Sequence, residues 1–231
     1  MIRIFLLFIR DQYYKKIKNF YSKNFYEKKL LNYINYNKGF FIEVGAFDGI
    51  SQSNTYFFEK KLNWRGILIE PNPKYFKKLK INRSNRNMFY NNALVEKTSR
   101  VKIKMLSLGK MTIKINKKNK NFKSHLDLAK SNLHKNYDAN PFFSKAIRLQ
   151  DILVETNAPK HIDFFSLDVE GSELSVLKGI DHNFYKFKFI LIEIREFKKV
   201  NKFLNKKNYK LIDSFGGRDF LYKFNGFSLK Q

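Results

Sequence analysis

"FIEVGAFDGISQSNTYFFEKK", residues 40–60, decides the fold. An apolar run closes on Gly45, a turn carries Asp48 and Gly49, and a helix-like stretch follows. Short apolar runs that end in glycine read as buried strands, so "GFFIEVG" (39–45) is a strand. Residues 51–61 then read as a helix with Ser51 or Ser53 near its start. A phosphate loop would avoid acids, yet Glu43 and Asp48 flank this turn. Phe47 stands where a dinucleotide fingerprint needs its middle glycine, which weakens that reading.

The same alternation continues outward. "RGILIEP" (65–71) is a second strand closed by Pro71, and 73–80 a short helix with Pro73 in its first turn. "MFYNNALVE" (88–96) reads as a third strand, and "SRVKIKML" (99–106) as a hairpin arm. "AIRLQDILVE" (146–155) has helical spacing, "HIDFFSLDVEG" (161–171) is a strand, and "SELSVLKGI" (172–180) is a helix that Gly179 ends. "FKFILIEIRE" (187–196) is a strand, 197–205 a helix, and "YKLIDSFGGRDFLYKF" (209–224) two strands around a Gly-Gly turn. Alternating strands and helices imply a mostly parallel sheet with helices on both faces. The terminal hairpin implies an antiparallel strand at one edge.

Residues 1–37 read as a helical extension ahead of a domain spanning 38–231. The Lys- and Asn-rich stretch 107–146 reads as an irregular insertion or lid in that domain. The N-terminal apolar run is far shorter than the ~20 residues a spanning helix needs. No small-residue cleavage site follows it. The expectation is a cytoplasmic protein, with a packed helix at the N-terminus or peripheral contact with a membrane surface there.

The chain has 231 residues, 46 Lys and Arg against 20 Asp and Glu, and a net charge of +26. A polyanion partner is one reading. The other is codon bias, because Lys, Asn, Ile, Phe and Tyr are all abundant and AT-rich codons encode them. Lys greatly outnumbers Arg, the residue that reads phosphates and bases, so a nucleic-acid partner is not the expectation. With no cysteine, disulfides, thiolate metal sites and a Cys nucleophile are excluded.

Parallel sheets bind ligands beyond the carboxyl ends of their strands. Three strands here end in acids: Glu43, Glu70, and Asp168 with Glu170. Such a rim repels phosphates and suits a ligand with a cationic centre, an amino group and ribose hydroxyls. S-adenosylmethionine has all three. Glu70 stands where a ribose-binding acid sits in nucleotide-binding sheets, or is an exposed acid beside Pro71. Asn92 faces the adenine region or is a turn residue. Asp168 and Glu170 in "DVEGSE" can accept a proton, help hold a divalent metal, or belong to a helix start that Ser172 and Glu173 cap. In a continuing strand Asp168 and Glu170 would share one face. His125, His134, His161 and His182 are rival bases.

"FIEVGAFDGISQSNTYFFEKKLNWRGILIEPNP", "NNALVE", "IDFFSLDVEGSELSVLKGI" and "ILIEI", in that order, resemble the FkbM family of S-adenosylmethionine-dependent methyltransferases. The resemblance spans residues 40–196. It implies a Rossmann-like class I methyltransferase fold and, usually, O-methylation of a small molecule, lipid or sugar. By position, Glu43, Gly45 and Asp48 look like the loop around the methionine part of the cofactor. Glu70 looks like the ribose acid, Asn92 and Ala93 like the adenine neighbourhood, and Asp168 and Glu170 like the catalytic centre. Within 107–146 only "SNLHKNYD" (131–138) aligns, faintly. A nucleic-acid methyltransferase would suit the charge, but "DVEG" is not the Asn/Asp-Pro-Pro-aromatic turn of base amino-methylation. A binding or trafficking protein that kept the fold is the third class.

Overall fold

The computed structural model describes residues 20–108, 111–115 and 140–226. His125, His134, "SNLHKNYD" and residues 1–19 of the N-terminal extension lie outside them. Within 20–37 a 3-10 turn (Lys23–Phe25) leads into α1 (Tyr26–Leu30). The rest runs β1 (Phe40–Val44), α2 (Tyr56–Leu62), β2 (Arg65–Ile69), α3 (Pro73–Asn82), β3 (Met88–Tyr90), β4 (Asn92–Leu94), β5 (Ser99–Leu108), β6 (Met111–Lys114) and β7 (Asn140–Ile147). It ends with α4 (Leu149–Glu155), β8 (His161–Leu167), α5 (Glu173–Lys178), β9 (Lys186–Glu193), α6 (Phe197–Lys206), β10 (Tyr209–Ser214) and β11 (Asp219–Phe224). None of the described helices is long and apolar enough to cross a membrane.

Seven strands form the main sheet in the order β10-β11-β9-β8-β1-β2-β3. The pairs from β9 through β3 are parallel. The sheet closes antiparallel at one edge, β11 pairing with β9 and β10 with β11. Strand periodicity sorts the core into two layers. Phe40, Ile42 and Val44 of β1 and Ile67 and Ile69 of β2 pack with Ile152 of α4, Val176 of α5 and Leu204 of α6. Phe41 and Leu68, one residue out of phase, pack with Leu30 of α1, Phe58 of α2 and Leu79 of α3. Helices therefore cover both faces.

Three expectations change. The stretch 88–96 is two strands in two sheets. The chain leaves the main sheet at Asn91, whose Nδ2 donates to the carbonyls of Glu70 (2.8 Å) and Pro71 (3.1 Å). The described parts of 107–146 are not irregular. With β4 they form a second sheet, β4-β7-β5-β6, in which residues 146–147 extend β7 and are not helical. The helix read at 51–61 is α2 and starts only at Tyr56, and Ser53 Oγ accepts from the backbone N–H of Tyr56 (3.1 Å). Gly179 does end α5, but without a left-handed φ. A Cβ there would lie 2.5 Å from the Val95 carbonyl, so close chain approach is what requires glycine.

Candidate active site

The turn after β1 is built for close approach. Gly45 has φ +82°, and a Cβ on it would lie 2.3 Å from the carbonyl oxygen of Asp168. Its N–H donates to Ile69 O (3.0 Å), while Asp168 N–H donates to Val44 O (3.1 Å). The ends of β1, β2 and β8 thus converge at one glycine. Glu70 follows β2 and is 3% exposed, not an exposed acid. Its carboxylate accepts from Phe47 N–H (2.9 Å) and Asn72 N–H (2.8 Å). Burial pushes its pKa up to about 7 against these two hydrogen bonds.

Glu43 and Asp48 do different work. Glu43 shares the face of Phe41 and so points at the start of α2. It accepts from Ser53 Oγ (2.9 Å), Asn54 N–H (2.8 Å), Thr55 Oγ1 (2.6 Å) and Arg83 (3.2 Å). Arg83 also donates to Glu59 (2.7 Å), and its side chain has no exposure. Asp48 accepts from Ile50 N–H (3.0 Å) and from the N–H and hydroxyl of Ser51 (both 2.7 Å). Glu43 and Asp48 shape the loop, and neither lines the cavities described next.

β8 ends at Leu167, and the chain then turns. Glu170 (φ +52°) and Gly171 (φ +100°) are left-handed, so Asp168 and Glu170 do not continue a strand. Glu170 is paired with Arg195. Asp168 Oδ1 is buried and has no partner among the described residues. Burial, then the charges of Glu170, Glu193, Asp219 and Glu173, hold the Asp168 carboxyl well above the usual range. Ser172 occupies the helix-capping position but makes no side-chain cap bond. Instead Glu173 accepts from Gly171 N–H (2.6 Å), and burial raises its pKa to about 7.

Two adjoining cavities share Asp168 and Glu170 as a common wall. The first, about 690 Å³ and open to solvent, is lined by Gly45, Glu70, Asn92 and Ala93 and by Ile103, Met105, Thr112 and Lys114 of β5 and β6. The second, about 1320 Å³ and open to solvent, is lined by Asn54, Glu193, Arg195, Arg218 and Asp219 and by Lys23 and Tyr26 near the N-terminus. Tyr26 donates to Asp219 (2.7 Å), and Lys23 Nζ lies 3.7 Å from both Glu193 and Asp219. Sequence reasoning placed Glu193, Arg195 and Asp219 only inside strands. The available signal was three charges at the ends of β9 and β11.

Among the described residues no group of three or more His, Asp or Glu is arranged to hold a metal ion. His161 opens β8 at the end opposite Asp168. His182 is buried among Phe187, Phe203 and Tyr209, with Nε2 2.8 Å from Leu177 O. Neither histidine lines either cavity.

Comparison with known proteins adds the family. No curated protein matches the chain. Among solved structures it is similar to a methyltransferase FkbM from Methylobacillus flagellatus KT, at 17% identity and a TM-score of 0.49. That match covers 81% of this chain but only 44% of the other, so this chain spans less than half of that protein's length. It is also similar to a precorrin-6y C5,15-methyltransferase from Geobacter metallireducens GS-15, at 11% identity and a TM-score of 0.41, covering 89% and 94% of the two chains. The family model described as "Methyltransferase FkbM domain" matches residues 43–211, well over half of the sequence. The chain therefore belongs to the FkbM family of methyltransferases.

Proposed function

We propose that the chain transfers a methyl group from S-adenosylmethionine to a hydroxyl of a small molecule, lipid or sugar. The cofactor would occupy the first cavity and the acceptor the second. The observation that carries this reading is Asp168. It stands in the wall shared by the two cavities, with a buried carboxylate oxygen that meets no donor among the described residues.

The first cavity suits the cofactor. A carboxylate offers about four lone-pair positions, so Glu70 can accept from ribose hydroxyls beside the two backbone N–H groups it already meets. Gly45 brings bare main chain to the cavity floor, and Asn92 and Ala93 supply its far side. S-adenosylmethionine, when bound, supplies a methyl group activated on a cationic sulfur.

The protein's share is alignment and proton removal. Positioning an acceptor oxygen in line with the methyl can be worth ~7–11 kcal/mol. Asp168 takes the hydroxyl proton on Oδ1 as the new O–CH₃ bond forms, a contribution of typically ~10²–10⁴-fold. Cationic charge nearby favours the ionised carboxylate that this step needs. The acids around both cavities also disfavour a polyanionic acceptor. Isothermal titration with S-adenosylmethionine tests the reading. Binding to wild type that weakens in Glu70→Ala by a few kcal/mol at most is expected. No binding to wild type overturns it.

A further inference from the structure

Resting on that functional reading, we propose that the second cavity selects a polyhydroxylated acceptor carrying a protonated amino group, that is, an amino sugar. Four buried side-chain atoms lack a partner among the described residues: Asn54 Oδ1, Asp168 Oδ1, His182 Nδ1 and Arg195 Nε. Three of the four belong to residues lining this cavity. Arg195 is itself only 9% exposed, so its unmet Nε–H is desolvated by the fold. Two of the three atoms need a donor and one needs an acceptor. A hydroxyl group provides both, so a ligand rich in hydroxyls satisfies all three. Leaving such groups unmet costs more than a made hydrogen bond gains, which turns them into a selection device.

Charge identifies the amino group. The chain carries +26, yet this cavity gathers four acids, Asp168, Glu170, Glu193 and Asp219, beside three cations, Lys23, Arg195 and the exposed Arg218. Glu170 is matched by Arg195. Glu193 and Asp219 share one ammonium, that of Lys23, at 3.7 Å from each, beyond hydrogen-bond range and half exposed. A substrate ammonium fits between these two carboxylates in the place Lys23 now holds loosely. The hydroxyl to be methylated then lies at Asp168. Its proton goes to Asp168, the C–O bond forms as the S–CH₃ bond breaks, and the bonding pair returns to sulfur as a neutral thioether.

The test uses the full chain saturated with S-adenosylhomocysteine and saturation-transfer NMR with four probes at pH 7. These are D-glucosamine, D-glucose, N-acetyl-D-glucosamine and D-glucuronate. Glucosamine is expected to bind about tenfold tighter than the other three. Glu193→Gln should erase that preference, and Lys23→Met should enlarge it. Equal affinities, a preference for glucuronate, or no binding of any probe overturn the proposal. Calorimetry of S-adenosylhomocysteine on the same sample separates the two readings. Intact binding there with no glucosamine preference sinks only the acceptor assignment, whereas absent binding sinks the cofactor site as well.

Discussion

Two groups of carboxylates, one joining Glu43 of β1 to Glu59 of α2 and the other gathered at the ends of β8, β9 and β11, differ in how they are met. Glu43 and Glu59 are enclosed with Arg83, and every contact is answered: Ser53, Asn54 and Thr55 donate to Glu43, and Ser84 and Asn87 donate to Glu59. Asp168, one strand away, has an oxygen without a donor among the described residues, and Glu193 and Asp219 share a distant lysine, Asp219 also accepting from Tyr26. The lesson is that an acid's place in a motif does not fix its job. A buried acid whose lone pairs are filled holds the chain in shape. One left unfilled is poised for something that arrives.

The comparison breaks first at Arg83. Arg83→Met leaves Glu43 and Glu59 buried without their cation. A loss of about 3–5 kcal/mol in unfolding free energy is expected from urea denaturation. A loss under about 1 kcal/mol would show that these acids are not held as a unit.

Asp168 supplies the opposite extreme. Asp168→Asn removes a charge that burial disfavours, so the unfolding midpoint should hold or rise while cofactor affinity stays unchanged. Methyl transfer, followed as labelled product in cell extract, should fall roughly 10²-fold or more. A wild-type rate would make Asp168 structural.

His182 sharpens the rule with a base in place of an acid. Burial holds its pKa down near 4, so the folded state favours the neutral ring. That stabilisation is complete above an unfolded-state pKa of about 6.5 and is lost as pH falls from there through 4. Wild type should lose on the order of 2 kcal/mol over that interval relative to His182→Gln, measured by denaturation at each pH. Parallel curves would defeat the assignment.

The smallest effect belongs to Glu70, which lies between the two groups: its backbone donors are in place, yet it faces a cavity. Ribose hydroxyls donate best to the ionised form, and its pKa is near 7. Cofactor affinity should therefore rise severalfold, by less than about tenfold, between pH 6 and 8. Glu70→Gln should flatten the rise, and calorimetry across that range decides.

Much of the architecture is legible because strand periodicity and glycine turns are local. "FIEVG" and "FFSLD" announce buried parallel strands, and Gly216-Gly217 marks the terminal hairpin. What stays hidden is set by partners far along the chain. Glu43 reads as a cofactor acid until Arg83 is seen to reach it 40 residues later. Asn91 splits an apparently single strand through bonds to Glu70 and Pro71. The second sheet escapes the reading because β4 runs on from β3 as one apparent strand and its partner β7 lies about 50 residues further along the chain, beyond the Lys- and Asn-rich stretch. Gly45 and Glu70 line the first cavity, while Arg195, in the wall of the second, carries no local mark in the sequence.

The antiparallel return of β11 beside β9 has an evolutionary consequence. It brings Arg218 and Asp219, the residues just after the Gly216-Gly217 turn, against Ile194 and Glu193 at the end of β9. Turns at loop tips accept insertions and exchanges more readily than the sheet they join. Arg218 and Asp219 line only the second cavity, whereas Gly45 and Glu70 line only the first. Under the proposed assignment of the two cavities, drift in this one hairpin exchanges one acceptor for another while the methyl-donor half is inherited intact.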